Sequence, residues 1–199
     1  MDKHDRAVDR EMLLAEFAAL RAEILQRSSL QWNIFALQLT AAGVIFSFAL
    51  SNPSHTGFLL ILPVISYALA ARYISHFLVI QALGTYIHDV LEVRAKGELH
   101  WQTWYRAQPL SVHRILNWLN ANFLVFPGTA AIALIWVAPY VWESHASAGK
   151  RVLIIIIWLI GIAATVLSTQ MIASRLSSFR GRSWRQRSNQ LPGAQRSLD

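Results

Sequence analysis

The chain has 199 residues, of which 54% are apolar and only 15% are charged. A water-soluble domain usually carries about 25% charged residues, so this composition excludes an ordinary globular surface. The absence of cysteine excludes disulfides, thiolate metal sites and cysteine nucleophiles. The net charge of +7 suits contact with an anionic membrane surface.

Residues 1–31 precede the first apolar block and predict a cytoplasmic amphipathic helix. Its apolar stripe follows steps of three and four residues and consists of Leu13, Phe17, Leu20 and Ile24. Two interpretations are open. The stripe packs on the protein's own cytoplasmic connection, or it forms a short coiled-coil seam for a homo-oligomer or a protein partner. No Pro interrupts the sequence up to the end of the first span, so one helix is expected from about residue 9 to residue 51.

Four apolar blocks predict an all-α integral membrane protein, a four-helix bundle in a transmembrane domain of residues 32–172. Each block is long enough to cross about 30 Å of hydrocarbon as a helix, and none alternates with the period of a strand. The predicted spans are residues 32–51, 57–80, 119–141 and 152–172. Pro127, Gly128 and Pro139 are expected to bend the third span. The first apolar run lies behind six acidic residues, too late for a signal peptide, so we expect it to be retained.

The connection of residues 81–118, between spans two and three, is expected to be helical and cytoplasmic. Its first part continues the second helix with apolar residues at helical spacing. Trp101, Trp104 and Tyr105 follow on one helix face, and such rings favour the headgroup level of a membrane. The segment is either an interfacial re-entry of the chain or a binding surface shared with the N-terminal helix.

The distribution of Lys and Arg predicts the orientation of the chain. Fifteen of these residues lie in the N-terminal segment, the connection and the C-terminal tail, against two in the loops on the opposite side. Cytoplasmic loops carry the excess of Lys and Arg. Both termini are therefore predicted to be cytoplasmic, with the protein in the inner, or plasma, membrane.

Residues 173–199 form a basic tail that is predicted to be disordered, because it has no apolar stripe to bury. Its candidate lipid-contact residues are Arg180, Arg182, Trp184, Arg185 and Arg187. Each basic residue near an anionic surface contributes about 1 kcal/mol to binding. The tail is alternatively a stop signal that only fixes topology, and nucleic acid is the least favoured partner.

Arg72 and His76 are the candidate intramembrane polar residues, and their spacing of four places them on one helix face. Arg72 either snorkels to the interface or lines, with His76, a polar path or a site for a buried anion. Asn33, Gln38 and Gln170 are expected to form hydrogen bonds between helices.

Small residues repeat every four positions on two spans and predict two close helix–helix contacts. The two ridges are Gly43, Ser47 and Ser51 on the first span, and Gly161, Thr165 and Thr169 on the fourth. Both ridges are expected to face neighbouring helices. The bulky run Ile154–Ile157 is expected to face mainly lipid.

The sequence has no motif that indicates chemistry. The seven histidines lack the spacing of a zinc or haem site, and phosphate-binding, dinucleotide-binding and hydrolase motifs are missing. We therefore predict no catalytic residue, no metal, no cofactor and no enzymatic activity.

The segment EFAALRAEILQR, from Glu16 to Arg27, is followed by an apolar span and a very short outer loop. In this it resembles small uncharacterised bacterial four-span membrane proteins with a charged N-terminal helix. Some proteins of that kind act as membrane effectors in defence against phage. The resemblance covers about the first third of the chain and carries over no functional residue.

Two classes of function follow. The first is a non-enzymatic interaction or effector protein that acts through its cytoplasmic surface and through oligomerisation in a bilayer with anionic lipids. The alternative is a small channel or transporter subunit in which Arg72 and His76 line a polar path. An assembly factor for a larger membrane complex is a weaker third interpretation.

Overall fold

A computed structural model describes residues 3–95, 121–143 and 148–189, with side chains over residues 8–95, 121–142 and 149–174. These parts of the chain are helical and contain no strand. Four helices within them are long and apolar enough to cross a membrane: Val8–Ser51, Pro53–Arg94, Ala121–Trp142 and Gly149–Ser174. The prediction of an all-α, multi-pass membrane protein with four spans is confirmed.

The main helices are α1 (Lys3–Ser51), α2 (Leu62–Tyr86), α3 (Thr129–Glu143) and α4 (Ala148–Asn189). Shorter pieces extend them. A 3-10 segment, Pro53–Ile61, leads into α2, and a π turn followed by one helical turn continues it over Ile87–Leu91 and Glu92–Arg94. Another π turn, Leu124–Gly128, precedes α3. The later part of the connection, with Trp101, Trp104 and Tyr105, lies outside the described residues.

Helix α1 is one unbroken helix of 49 residues. At 1.5 Å per residue its length is about 73 Å, more than twice the thickness of the hydrocarbon core. The helix ends at Ser51 because Asn52 precedes Pro53 and takes an extended conformation, with φ −153°. The Asn52 side chain accepts a hydrogen bond from the Ser54 amide at 2.9 Å and so caps the next segment. The predicted single helix through the first span is confirmed.

Helices α1 and α2 run antiparallel in a constant register that three hydrogen bonds define. Glu16 accepts from the Tyr86 hydroxyl at 2.7 Å, and the Gln31 amide donates to a backbone carbonyl of α2 at 3.3 Å. Gln38 donates to the Ser66 hydroxyl at 2.7 Å. The N-terminal part of α1 therefore lies beside the C-terminal end of α2, and both project from the same end of the bundle.

The core consists of two apolar clusters between the spans. One contains the fully buried Leu59, Leu62 and Val137, and the other centres on Phe126, which packs edge-to-face against Phe35. Helix α2 contacts each of the other three helices, whereas α1 packs mainly against α2 and its 3-10 segment. Helix α1 is therefore peripheral, with a wide exposed face.

The two small-residue ridges behave differently. Gly161 is buried, and a Cβ added there would lie 3.0 Å from Leu134 Cδ2 and 3.3 Å from Pro63 Cγ, so this ridge faces α2 and α3 as predicted. The prediction for the first span is wrong within one protomer. Gly43, Ser47 and Ser51 are exposed, and a Cβ added at Gly43 meets nothing within 4 Å.

The prediction for the bulky run of α4 is also largely wrong. Ile154, Ile155 and Ile157 are half-buried and pack against the first apolar cluster, and only Ile156 is exposed. The backbone of α4 stays helical to Asn189, so helix covers the first part of the tail that the sequence predicted to be disordered. Arg and Gln have high helix propensity, and the chain has no Pro between Pro139 and Pro192.

Candidate functional site

The most polar part of the bundle interior is centred on Gln38 of α1. Its amide nitrogen shares two hydrogens among three acceptors, the Ser66 hydroxyl at 2.7 Å, the Thr129 hydroxyl at 3.0 Å and the Val125 carbonyl at 3.3 Å. Gln38 and Ser66 are fully buried. These four groups, which we call the Gln38 clasp, join α1, α2 and the start of α3 at one point.

The clasp forms where the third span departs from a regular α-helix. Pro127 lacks a backbone N–H, so the ladder of helical hydrogen bonds cannot continue through it, and the backbone forms the π turn Leu124–Gly128. The Val125 carbonyl accepts from the Thr129 hydroxyl at 2.7 Å and from Gln38. Polar side chains thus satisfy a carbonyl that lipid could not, which is how membrane helices tolerate proline.

Gly128 is required by the same turn. A Cβ added at Gly128 would lie 2.9 Å from the Phe123 carbonyl oxygen, closer than a real Cβ approaches a backbone oxygen.

One polar atom of the clasp is not satisfied. Gln38 Oε1 is buried and has no hydrogen-bond partner among the described residues. The clasp is mainly a structural joint between three spans.

The structure separates the two candidate intramembrane polar residues. Arg72 is exposed on α2, whereas His76 is buried and its Nδ1 has no partner among the described residues. Arg27 of α1 and Arg72 are both within electrostatic range of the His76 ring. The two residues are four apart on α2 but differ in exposure.

The predicted stripe of α1 is turned towards the protein itself. Leu13, Phe17, Leu20 and Ile24 are all half-buried, and α1 contacts the π turn that continues α2. The hydrogen bond that the Tyr86 hydroxyl donates to Glu16 belongs to this contact between α1 and the end of α2. This placement favours the interpretation in which the stripe packs on the chain's own extension of α2.

The candidate lipid-contact residues lie on the C-terminal part of α4. They are Arg180, Arg182, Trp184, Arg185 and Arg187. The described side chains end at Ser174, so their contacts lie outside the described residues. Within the described residues no group of three His, Asp or Glu side chains is close enough to hold a metal ion.

Comparison with known proteins assigns the chain to no family. The chain matches no family model, no curated protein and no solved structure.

Sequence reasoning identified Gln38 as an interhelical residue but not its partners. Ser66 and Thr129 are inconspicuous hydroxyl residues in apolar segments. The available signal was indirect: a span broken by Pro127 needs a polar side chain at the same depth on a neighbouring helix. Gln38 lies near the middle of the first span and is a side chain of that kind.

Proposed function

We propose that the protein is a non-enzymatic interaction protein of the inner membrane. It acts through a cytoplasmic helical stalk, formed by residues 8–31 of α1 and residues 81–95 at the end of α2, and through oligomerisation. Both termini are cytoplasmic in this proposal, because the stalk projects from the end of the bundle that bears the excess of Lys and Arg.

The observation that carries the proposal is the ordered stalk. Helix α1 continues without a break from the span into the stalk, and the bond from Tyr86 to Glu16 fastens it to α2 at 2.7 Å. Arg27 and Glu23 form an ion pair at 2.7 Å on the same segment. A paired helical projection of this kind serves to hold an interaction surface away from the bilayer.

The stalk also exposes large apolar side chains to water. Met12 and Leu25 are 66% and 67% exposed, and Val93 on the α2 side is 72% exposed. Exposed apolar side chains gain free energy when a partner covers them and removes them from water. These residues, rather than the half-buried stripe, are the contact residues that we propose.

The alternative function, a channel or transporter subunit, receives less support from the geometry. Arg72 is exposed on α2, His76 is buried, and Phe126 and Ile74 fill the adjacent interior. A polar path through Arg72 and His76 would have to replace this apolar packing.

The proposal is tested by comparing two sets of stalk variants in native membranes. Met12→Ser with Leu25→Ser changes exposed residues, and we expect it to reduce the mass of the detergent-solubilised assembly while the protomer keeps its thermal stability. Leu13→Ser with Phe17→Ser changes half-buried residues and is expected to expose the stalk to protease. A fully buried apolar side chain contributes about 1.5–3 kcal/mol, and a half-buried one contributes correspondingly less.

Arg72→Gln is the matched control for the alternative function. We expect this variant to insert, assemble and leave liposome conductance unchanged. An assembly mass unaffected by Met12→Ser with Leu25→Ser, together with a conductance that depends on Arg72, would support the channel subunit instead.

A further inference from the structure

The face of α1 that points away from the bundle has a regular composition. Positions taken at alternating steps of three and four residues from Val8 to Leu50 are all exposed. Within the span they are Asn33, Ala36, Thr40, Gly43, Ser47 and Leu50, of which all but the last are small or polar. We call this face the outward seam. It lies opposite the stripe of Leu13 and Phe17, which packs on α2.

Other exposed helix faces of the same bundle have a different composition. The exposed face of α4 bears Ile156, Leu159, Ile160 and Val166, bulky side chains that suit contact with lipid. The flanks of the outward seam are also bulky, with Leu37 and Leu39 exposed beside it. The seam is therefore a shallow groove with a floor of small residues, and lipid contact alone does not account for it.

The repeat of the seam indicates what covers it. A spacing of 3.5 residues, kept over about six heptads, is the period of two helices that supercoil around each other. From Val8 to Leu50 the seam extends over about 63 Å, through the span and along the stalk. A partner that covers it must contain a helix that continues from the bilayer into the cytoplasm at the same depth.

Polar side chains on the seam supply a second, independent observation. Gln26 and Asn33 are exposed, one heptad apart, and neither forms a side-chain hydrogen bond among the described residues. A carboxamide is both donor and acceptor, so it pairs with the same residue of an identical helix. Asn at the core of a coiled coil fixes its register and oligomeric state.

Charges near the seam are compatible with a close approach. Glu16 and Glu23 lie beside it, and like charges at these positions would repel across a symmetric contact. Glu16 already accepts a hydrogen bond from the Tyr86 hydroxyl, and Glu23 forms an ion pair with Arg27. Both carboxylates are thus engaged within the protomer, whereas Asp9 and Glu11 are exposed beside the first turns of the seam, where water and salt screen their charges.

We propose that a second copy of this chain packs in parallel along the outward seam and forms a two-fold symmetric dimer with the two α1 helices at its centre. The inference deepens the proposed function, because it names the partner in the membrane. Since the seam lies opposite the bundle, the other three helices of each copy lie on the outside of the dimer. Identical copies in one membrane share their orientation, so Asn33 meets Asn33 at the same depth.

Disulfide crosslinking tests this arrangement directly, because the chain has no cysteine of its own. Ala36→Cys and Gly43→Cys place a thiol on the seam, and Ala163→Cys places one at an exposed alanine on the lipid-facing side of α4. Membranes are oxidised with copper phenanthroline, which takes two electrons as two thiols lose their protons and form one disulfide. We expect covalent dimers from both seam variants and about tenfold less from Ala163→Cys.

A second variant separates packing from chance collision. Adding Gly43→Leu to Ala36→Cys should reduce the covalent dimer about tenfold, while adding Ile156→Ala on α4 should not. Equal crosslinking at Ala36 and Ala163, or crosslinking that Gly43→Leu leaves unchanged, would overturn the dimer. If the seam cysteines do not crosslink but Met12→Ser with Leu25→Ser still reduces the mass of the assembly, the dimer along the seam is wrong and the proposed action of the stalk stands. The reverse pattern overturns the proposed action of the stalk alone.

Discussion

At the scale of single residues, the Gln38 clasp concentrates polar contacts of three spans in one side chain. Helices in a bilayer gain little from hydrophobic contact with each other, so hydrogen bonds and close packing contribute most of their association. Gln38 donates to Ser66, Thr129 and the Val125 carbonyl. Replacement of this one residue removes a link between α1 and both of its neighbours.

We expect Gln38→Leu to lower the free energy of unfolding by about 1 kcal/mol, the range of interhelical hydrogen bonds in membranes. The matched control is Gln170→Leu, since Gln170 is an exposed residue of the fourth span. Reversible denaturation in detergent micelles measures both variants. Equal loss of stability in the two would show that the clasp contributes nothing beyond the polarity of a glutamine.

Gly161 of α4 has no room for a larger side chain. A side chain there must displace Leu134 and Pro63, which a Cβ would already approach at 3.0 and 3.3 Å. We expect Gly161→Leu to destabilise the protomer by about 1–3 kcal/mol, the usual cost of overpacking. Gly43→Leu is the control, because nothing lies within 4 Å of a Cβ at that position. In dilute detergent, where protomers are separated, a similar thermal shift for both would contradict the assignment.

At the scale of elements, the π turn Leu124–Gly128 sets the shape of the third span. Pro127 removes a donor from the helix, and Gly128 leaves room for the Phe123 carbonyl at the same turn. Ala is normally the better helix former by about 1 kcal/mol. At Gly128 the steric contact reverses that preference.

We therefore expect Gly128→Ala to lower stability by about 1–3 kcal/mol, because the backbone must shift to admit the methyl group. Gly149→Ala, near the start of α4 with nothing within 4 Å of its Cβ, should be neutral or stabilising. Thermal unfolding in detergent compares the pair. A stabilising effect of Gly128→Ala would mean that the π turn is not kept in the membrane.

The elements also show what could be predicted from the sequence. The spans and the unbroken α1 were predictable, because apolar length and the absence of Pro are local properties of the chain. Gly43 and Gly161 begin the same local pattern, yet one is exposed and the other meets Leu134. Which face of a helix meets a neighbour depends on the register between helices, and the four-residue spacing does not encode it. The partners of Gln38 were missed for the same reason.

At the scale of the whole molecule, three helix ends project from one end of the bundle. These are the N-terminal part of α1 and the C-terminal parts of α2 and α4. At the opposite end, Asn52 alone separates α1 from the next helical segment. Because the long projections carry the excess of Lys and Arg, shape and charge both favour a cytoplasmic position for the projecting end.

The orientation is tested with a reporter that is active only in the cytoplasm. Fused after Asp199 it should be active, and inserted after Ser54, at the start of the 3-10 segment that follows α1, it should be silent. The expected difference follows from the cost of translocating basic segments, since the sequence predicts fifteen Lys and Arg residues on the cytoplasmic side and two on the other. Changing Lys150 and Arg151 to Gln, which removes those two, should leave the pattern unchanged. An active reporter after Ser54 with a silent one after Asp199 would reverse the topology and place the stalk outside the cytoplasm.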